Sequence, residues 1–348
     1  MNNLNRLLNA LSDRDYGRYI ITSLSDIGWL TGFTGSAAYI VLDGVKPIFI
    51  TDSRYRLYAE ELLGSEWEIE IARSYSEYLT ELAKKRKKIT IQRGCVYSNY
   101  LILSAHGAEI ALEDGTLSTL RAVKSAEETA AVKEQYAIAA KAFTASLESF
   151  KSGESETSWA AALEYNMKKL GVSLSFPTIT ASGVRGALPH GEPTKKIISI
   201  DDAIIVDFGT KKLYTSDYTR FLYNGGNAKT GEVAKIVLEA LNAAKEKVKP
   251  GVVARDIDAA ARGVIEKFGY GEYFSHGTGH GVGVDVHEAP TIRPGSEEII
   301  VQNMIFTIEP GIYLPKEFGV RLEDTVRVIE NGYEDLSRLD DYIYSFNS

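Results

Sequence analysis

His276-Gly-Thr-Gly-His280-Gly-Val-Gly-Val-Asp-Val-His287-Glu288 gathers three of the chain's five histidines within twelve residues. Imidazole is the commonest nitrogen ligand for metals and the usual proton-transfer group at neutral pH, so such a cluster points to chemistry rather than packing. Its glycines, at 277, 279, 281 and 283, alternate with other residues. They fit neither a dinucleotide fingerprint nor a P-loop. Glycine at every second position suits a strand approached closely by another backbone or a ligand. On a regular strand His276 and His280 share a face, whereas His287 has the opposite parity and needs a bulge or turn to join them. A fourth histidine, His190, lies upstream in the same half of the chain.

Four carboxylates stand in comparable settings around this stretch. Ile204-Ile-Val-Asp207-Phe-Gly209 ends an apolar strand in a carboxylate, and Ser216-Asp217-Tyr-Thr-Arg220 places another on the next strand. A hairpin centred on Lys212 would set Asp207 directly opposite Asp217, with Cβ atoms about 4.5–5.5 Å apart. Like charges so close among apolar neighbours need a cation or a shared proton. Met304-Ile-Phe-Thr-Ile-Glu309-Pro-Gly311 ends in a carboxylate at a turn, and Val320-Arg321-Leu-Glu323-Asp-Thr-Val326 reads as one strand with Arg321 and Glu323 on one face. An oxygen-rich set with one or two nitrogens suits Mn²⁺, Co²⁺, Fe²⁺ or Zn²⁺. Four carboxylates exceed the needs of one ion but suit two, and paired ions about 3.5–4 Å apart activate water for hydrolysis.

The rest of the chain frames this site. Its 348 residues predict two domains, and 44% apolar with 25% charged residues is the make-up of a globular protein. A net charge of −8 argues against nucleic acid or an anionic membrane as a main partner. The single cysteine, Cys95, excludes an internal disulfide and fits a reducing compartment. No apolar run approaches the roughly 20 residues of a membrane span, and the polar start lacks the apolar stretch of a signal peptide, so a cytoplasmic protein is expected. The first hundred or so residues alternate strand and helix signals, including an Asp43-Gly44 hairpin turn between two apolar strands. The basic run Lys84-Lys-Arg-Lys-Lys88 reads as a solvated helix end, where cations suit the dipole. Glu113-Asp114-Gly115 is a turn signal, and Ser125 with Glu128 forms a capping-box pattern that opens a long helix. Strand runs separated by helix pairs then predict an α+β domain with a largely antiparallel sheet. The expected division is a smaller α/β domain over 1–118 and an α+β catalytic domain over 119–348.

Taken in order, these stretches resemble the metal-dependent Xaa-Pro peptidases, prolidase and aminopeptidase P. That family shares the pita-bread catalytic fold with methionine aminopeptidase and creatinase. Thr31-Gly-Phe-Thr-Gly-Ser36 and Thr51-Asp-Ser-Arg-Tyr55 look like its N-terminal domain. Lys124-Ser-x-x-Glu128, Phe176-Pro-Thr-Ile179, Pro189-His-Gly191, the 276–288 stretch, Ile308-Glu-Pro-Gly311 and Arg321-Leu-Glu-Asp324 look like its catalytic domain.

The resemblance implies two divalent ions per chain, Mn²⁺ or Co²⁺ before Zn²⁺ or Fe²⁺. Asp207 would hold one ion, His280 and Glu309 the other, and Asp217 and Glu323 would bridge them. A hydroxide between the ions would attack the carbonyl before proline, with Glu309 shuttling the proton. His190 and His287 would bind or polarise the substrate, His276 and Arg321 would support the ligands, and Tyr313 would reach the substrate. It also implies a homodimer. The step from Asp207 to Asp217 is one residue shorter than the family's usual spacing. Prolidases often carry an arginine just after the Val-His-Glu-x-Pro stretch for the substrate's free carboxylate; Thr291 stands there, with Arg293 two residues on. The expected activity is Xaa-Pro dipeptide hydrolysis, with aminopeptidase P action on longer peptides as the alternative, toward which His276-Gly-Thr-x-His280 leans. A metal-free binding module of the same fold, or a methionine aminopeptidase, fits the ligand set and the full N-terminal region less well.

Overall fold

A computed structural model describes residues 2–44, 46–85, 88–113, 115–337, 339 and 341–347. The chain divides into two compact units, Met1–Arg121 and Ala122–Ser348.

In the first unit Arg18–Ile21 pairs antiparallel with Ala38–Leu42 and parallel with Lys88–Ile91, at the centre of a six-stranded mixed sheet. The Asp43-Gly44 signal sits between Ala38–Leu42 and Ile48–Thr51, which pair antiparallel, and Gly44 takes a φ of 88° that glycine adopts without steric cost. Ile20, Val41, Ile50, Ile89 and Ile91 pack with Leu79 and Leu82 of the Tyr75–Lys84 helix to make the core. Lys84 closes that helix and pairs with Glu81 at 2.8 Å. Arg86 and Lys87 of the basic run, and Asp114 of the 113–115 turn, lie outside the described residues.

The second unit starts from the expected capping box. The Ser125 hydroxyl accepts from the Glu128 N–H at 3.2 Å, and the Glu128 carboxylate accepts from the Ser125 N–H at 2.7 Å. The helix Ala126–Ser149 follows, then Glu156–Lys169. Ile179–Ser182, Ile204–Phe208 and Tyr218–Leu222 pair antiparallel, with Ile343–Tyr344 added in parallel at the edge. A second sheet orders Glu288–Ile292, Gly279–Gly281, Ile305–Ile308, Asp324–Ile329 and Gly332–Asp335, antiparallel throughout. The helices Ala228–Lys247 and Ala254–Lys267 bury Val233, Val237, Leu241, Ile257 and Ile265 against Phe306, Ile308, Val326 and Val328. This apolar backing keeps the strand ends that carry the acidic residues in fixed places.

Two local expectations are corrected. Asp207 pairs with Thr219 rather than Asp217, so the hairpin centre is one residue beyond Lys212. The hairpin keeps that register down to a bridge between Lys211 and Thr215, while Thr210–Lys211 also pairs with Ser173–Leu174. Asp207 and Asp217 are therefore diagonal neighbours two positions apart, still on one face. The stretch 320–326 is not one strand either. Phe318–Arg321 ends before Leu322 and Glu323, and Asp324–Ile329 begins in a different sheet.

Candidate metal centre and its cavity

The carboxylates of Asp207, Asp217 and Glu323 converge, each offering an oxygen within 4.8 Å of the others. Asp207 is delivered by the buried run Ile204-Ile205-Val206, Asp217 by the residue just before Tyr218–Leu222, and Glu323 by the break between two sheets. Asp217 and Glu323 are buried. Burial, then the neighbouring carboxylates, pushes Asp217 well above the usual carboxylate range and Glu323 up to about 8. Asp207 is raised as well, chiefly by burial, although Arg321 Nη2 donates to its Oδ2 at 2.5 Å. Asp207 Oδ1 and Glu323 Oε1 are buried with no hydrogen-bond partner. Such orphaned acceptors cost on the order of 1–3 kcal/mol each unless a cation or donor satisfies them.

A second group abuts the first. His280 Nε2 lies 3.1 Å from Glu309 Oε1 and 3.6 Å from Asp217 Oδ2. The hydrogen-bond network assigns the ring proton to Nδ1, which faces the Gly281 carbonyl at 3.2 Å. In the charged ring Nε2 carries a second proton and donates to Glu309. Burial pushes the Glu309 carboxyl up, but the His280 hydrogen bond and charge outweigh it and hold it at about 2. Burial lowers His280 in turn, and the Glu309 hydrogen bond outweighs that, leaving it raised. Five acceptor-bearing side chains around orphaned oxygens have the chemistry of a site for divalent cations, and hard oxygens with one imidazole suit first-row metals.

Behind the acids runs a relay of hydrogen bonds. Arg321, which can only donate, reaches the Tyr313 hydroxyl at 3.0 Å and the Thr219 hydroxyl at 3.0 Å. The Tyr313 O–H then donates to His276 Nε2 at 2.9 Å, and His276 Nδ1–H donates to the Gly277 carbonyl at 2.7 Å. Burial lowers the His276 pKa, so its neutral form belongs in this chain. The 276–280 stretch is fixed from outside by Asp258, which accepts from the Thr278 N–H and hydroxyl at 3.1 and 2.8 Å. Its partner Arg262 holds the Phe274 and His276 carbonyls at 3.0 and 2.9 Å.

The glycine alternation is explained by close approach. A Cβ at Gly279 would lie 1.9 Å from the Thr307 carbonyl oxygen, and one at Gly281 2.0 Å from that of Ala289. A register shift between His280 and Gly281, with the turn that follows, returns His287 so that its ring centre lies 4.2 Å from that of His280. The parity conflict is thus relieved by the irregularity the sequence required. The Lys124 ammonium, buried against Glu288 at 2.8 Å, secures the end of this turn.

A cavity of about 460 Å³ opens over these residues. Asp207, Asp217, His280 and Glu309 line it, together with His190, His276, His287, Arg293 and Arg321. Glu323 and Tyr313 stand behind that lining, Glu323 within the acidic cluster and Tyr313 buried between His276 and Arg321. Phe176, Pro177 and Ile179 supply an apolar wall and Glu192 a further carboxylate. Sequence reasoning quoted Phe176-Pro-Thr-Ile179 as a motif without making it a wall. It missed Glu192, whose only signal is its place two residues after His190.

Residues 130–330 match the family model "Metallopeptidase family M24", and residues 3–123 match the "Creatinase/Prolidase N-terminal domain". The chain belongs to metallopeptidase family M24. The Xaa-Pro dipeptidase of Pyrococcus furiosus is 35% identical over 343 residues, spanning 96% of this chain and 97% of that one. The structure of a Xaa-Pro dipeptidase from Bacillus anthracis superposes with a TM-score of 0.91 at 34% identity, covering 98% of each chain. That of an X-Pro aminopeptidase from Thermotoga maritima gives 0.86 at 33% identity, covering 95% of this chain and 97% of the other. Among M24 metallopeptidases the pita-bread unit with its N-terminal partner domain is the fold expected above, and the family's chemistry depends on divalent metal. Among the described residues no helix is long and apolar enough to cross a membrane.

Proposed function

We propose that this M24 metallopeptidase is a Xaa-Pro dipeptidase, hydrolysing the peptide bond before proline. The observation that carries it is the convergence of Asp207, Asp217, Glu323, His280 and Glu309 beneath one cavity, with two buried carboxylate oxygens lacking partners. Asp207 would hold one ion, His280 and Glu309 a second, and Asp217 and Glu323 both. The mixed oxygen and nitrogen donors favour Mn²⁺ or Co²⁺, with Zn²⁺ or Fe²⁺ next. Bound there, the ions supply an acidified water and polarise the scissile carbonyl.

The chain's own residues do the rest. Glu309, ionised at neutral pH, takes the proton of the attacking water and returns it to the departing proline nitrogen. His190 and His287, in the cavity wall, donate to the carbonyl oxygen as it gains charge. Arg321 holds Asp207 in place and, through Tyr313, keeps His276 in one tautomer. Arg293 takes the free carboxylate of a dipeptide. The single cysteine supports a reducing, cytoplasmic setting, and the family resemblance supports a homodimer.

Thr291 in place of the usual arginine, and the likeness to an X-Pro aminopeptidase, favour a second reading as aminopeptidase P. The test uses chelator-treated protein with Mn²⁺ or Co²⁺ restored, offered a Xaa-Pro dipeptide and a Xaa-Pro-Yaa tripeptide. Metal-dependent proline release from the dipeptide supports the dipeptidase. Cleavage of the tripeptide alone moves the assignment to aminopeptidase P. Cleavage of neither by the metal-loaded protein overturns both.

A further inference from the structure

Glu156 lies far from the acidic cluster in sequence, at the first position of the Glu156–Lys169 helix, and is fully buried. Its carboxylate accepts five hydrogen bonds from the two ends of one loop. Oε1 takes the Ser182 N–H and hydroxyl, both at 2.8 Å. Oε2 takes the Thr194 N–H and hydroxyl at 3.0 and 2.7 Å, and the Arg185 Nε–H at 3.0 Å. Arg185 in turn reaches forward to the Glu192 carbonyl at 2.5 Å. The loop so closed carries Pro189, His190 and Glu192 between its two fastened ends. Its tip is pinned separately, because Arg321 Nη1 donates to the Pro189 carbonyl at 2.9 Å while Nη2 holds Asp207. Its first turn is pressed against the backbone of Gly319, where a Cβ would lie 2.0 Å from the Gly186 carbonyl oxygen.

A buried ionised carboxylate is costly to keep unless its partners saturate it, and five donors at a helix N-terminus do so. Salt-bridging to Arg185 alone would not require the four bonds from residues 182 and 194, which act on loop geometry. We propose that Glu156 is a positioning residue that staples the base of the 182–194 loop and so fixes His190 in the cavity wall. This rests on the peptidase reading above for what His190 does, but the staple itself can be tested without it.

Glu156→Gln keeps the shape and forces an amide NH₂ to face donors on one side of the staple. Expected is a fall in kcat of about tenfold or more with KM changed less than about threefold, the signature of a lost transition-state contact. The double variant Glu156→Gln/His190→Ala should be no slower than His190→Ala alone, because both changes remove one effect. Losses that multiply, or an unimpaired single variant, overturn the proposal. Should Glu156→Gln fail to fold, Thr194→Val, which deletes the hydroxyl bond to Glu156 and the one that hydroxyl accepts from the Lys196 N–H at 3.2 Å, should show a smaller loss with the same non-additivity. Amide hydrogen exchange across 183–193 is the readout independent of activity: it should quicken in either variant relative to the wild type, and unchanged exchange overturns the staple. A wild type inert toward every Xaa-Pro peptide would overturn the peptidase reading while leaving the exchange result to judge Glu156.

Discussion

Asp217 offers an oxygen within 4.8 Å of those of Asp207 and Glu323 and lies 3.6 Å from His280 Nε2, so its charge is unfavourable unless cations balance it. Asp217→Asn removes that charge at nearly constant volume. Metal content should fall and kcat should drop by more than the roughly 100-fold that loss of an outer-shell partner brings. In chelator-treated samples at pH 8 the same variant should melt higher than the wild type, because a repelled buried charge has gone. Elemental analysis with thermal melting checks both, and a variant that keeps its metal and full activity would exclude Asp217 as a ligand. Arg293 poses a narrower question. It lines the cavity beside the histidine stretch, where a Cβ at Gly277 would lie 2.9 Å from the Arg293 Cβ. Arg293→Ala should raise KM for a Xaa-Pro dipeptide about tenfold, equivalent to about 1.4 kcal/mol, while hardly altering that for the C-terminal amide. Equal effects on the two substrates would remove Arg293 from carboxylate recognition.

At the scale of elements, the short strand Gly279–Gly281 decides whether His280 faces the acids. Gly279→Ala would place a methyl group 1.9 Å from the Thr307 carbonyl oxygen, on a neighbouring backbone that cannot swing aside. The strand should be driven from Ile305–Ile308, with lost metal binding and a lower melting temperature; a variant that binds metal normally would show the contact to be relaxed. This close approach was legible, because alternating glycine between histidines has few other uses. So were the capping box at Ser125 and the carboxylates at apolar strand ends, each set by a local pattern. The register of Asp207 against Asp217 was not. Their strands keep one register down to the bridge between Lys211 and Thr215, which centres the turn on Leu213, and no turn residue in that stretch marks the centre. Nor was the break at Leu322–Glu323, where Val320, Leu322, Val326 and Val328 share one parity and hide a change of sheet. Glu156 was invisible for a different reason: an acid in the first turn of a helix ordinarily reads as a complement to the helix dipole.

For the whole molecule the acidic cluster ties folding to pH and metal. Glu323 is raised from 4.5 to about 8, and Asp217 and Asp207 are raised too. Folded metal-free protein therefore holds more protons than the unfolded chain between about pH 4 and 8, and its stability falls as pH rises through that window. His280, raised above 6.5, acts in the same direction, since its contribution is lost as pH rises through its folded value. His276 and His287, both lowered chiefly by burial, oppose this between their folded values and 6.5. Glu309, held at about 2, contributes stability that is lost only as pH falls from 4.5 toward 2, so it drops out near neutrality. Divalent cations replace the retained protons and bind only the folded site, so the stability they add should grow as those protons become easier to displace. Chelator-treated protein should melt at a lower temperature at pH 8 than at pH 6, and saturating Mn²⁺ should raise melting more at pH 8. Titration calorimetry at pH 7 in buffers of different ionisation enthalpy should show protons released on Mn²⁺ binding. A metal increment independent of pH, with no proton release, would mean that the acids are already ionised before the ions arrive and that Arg321 and His280 alone balance them.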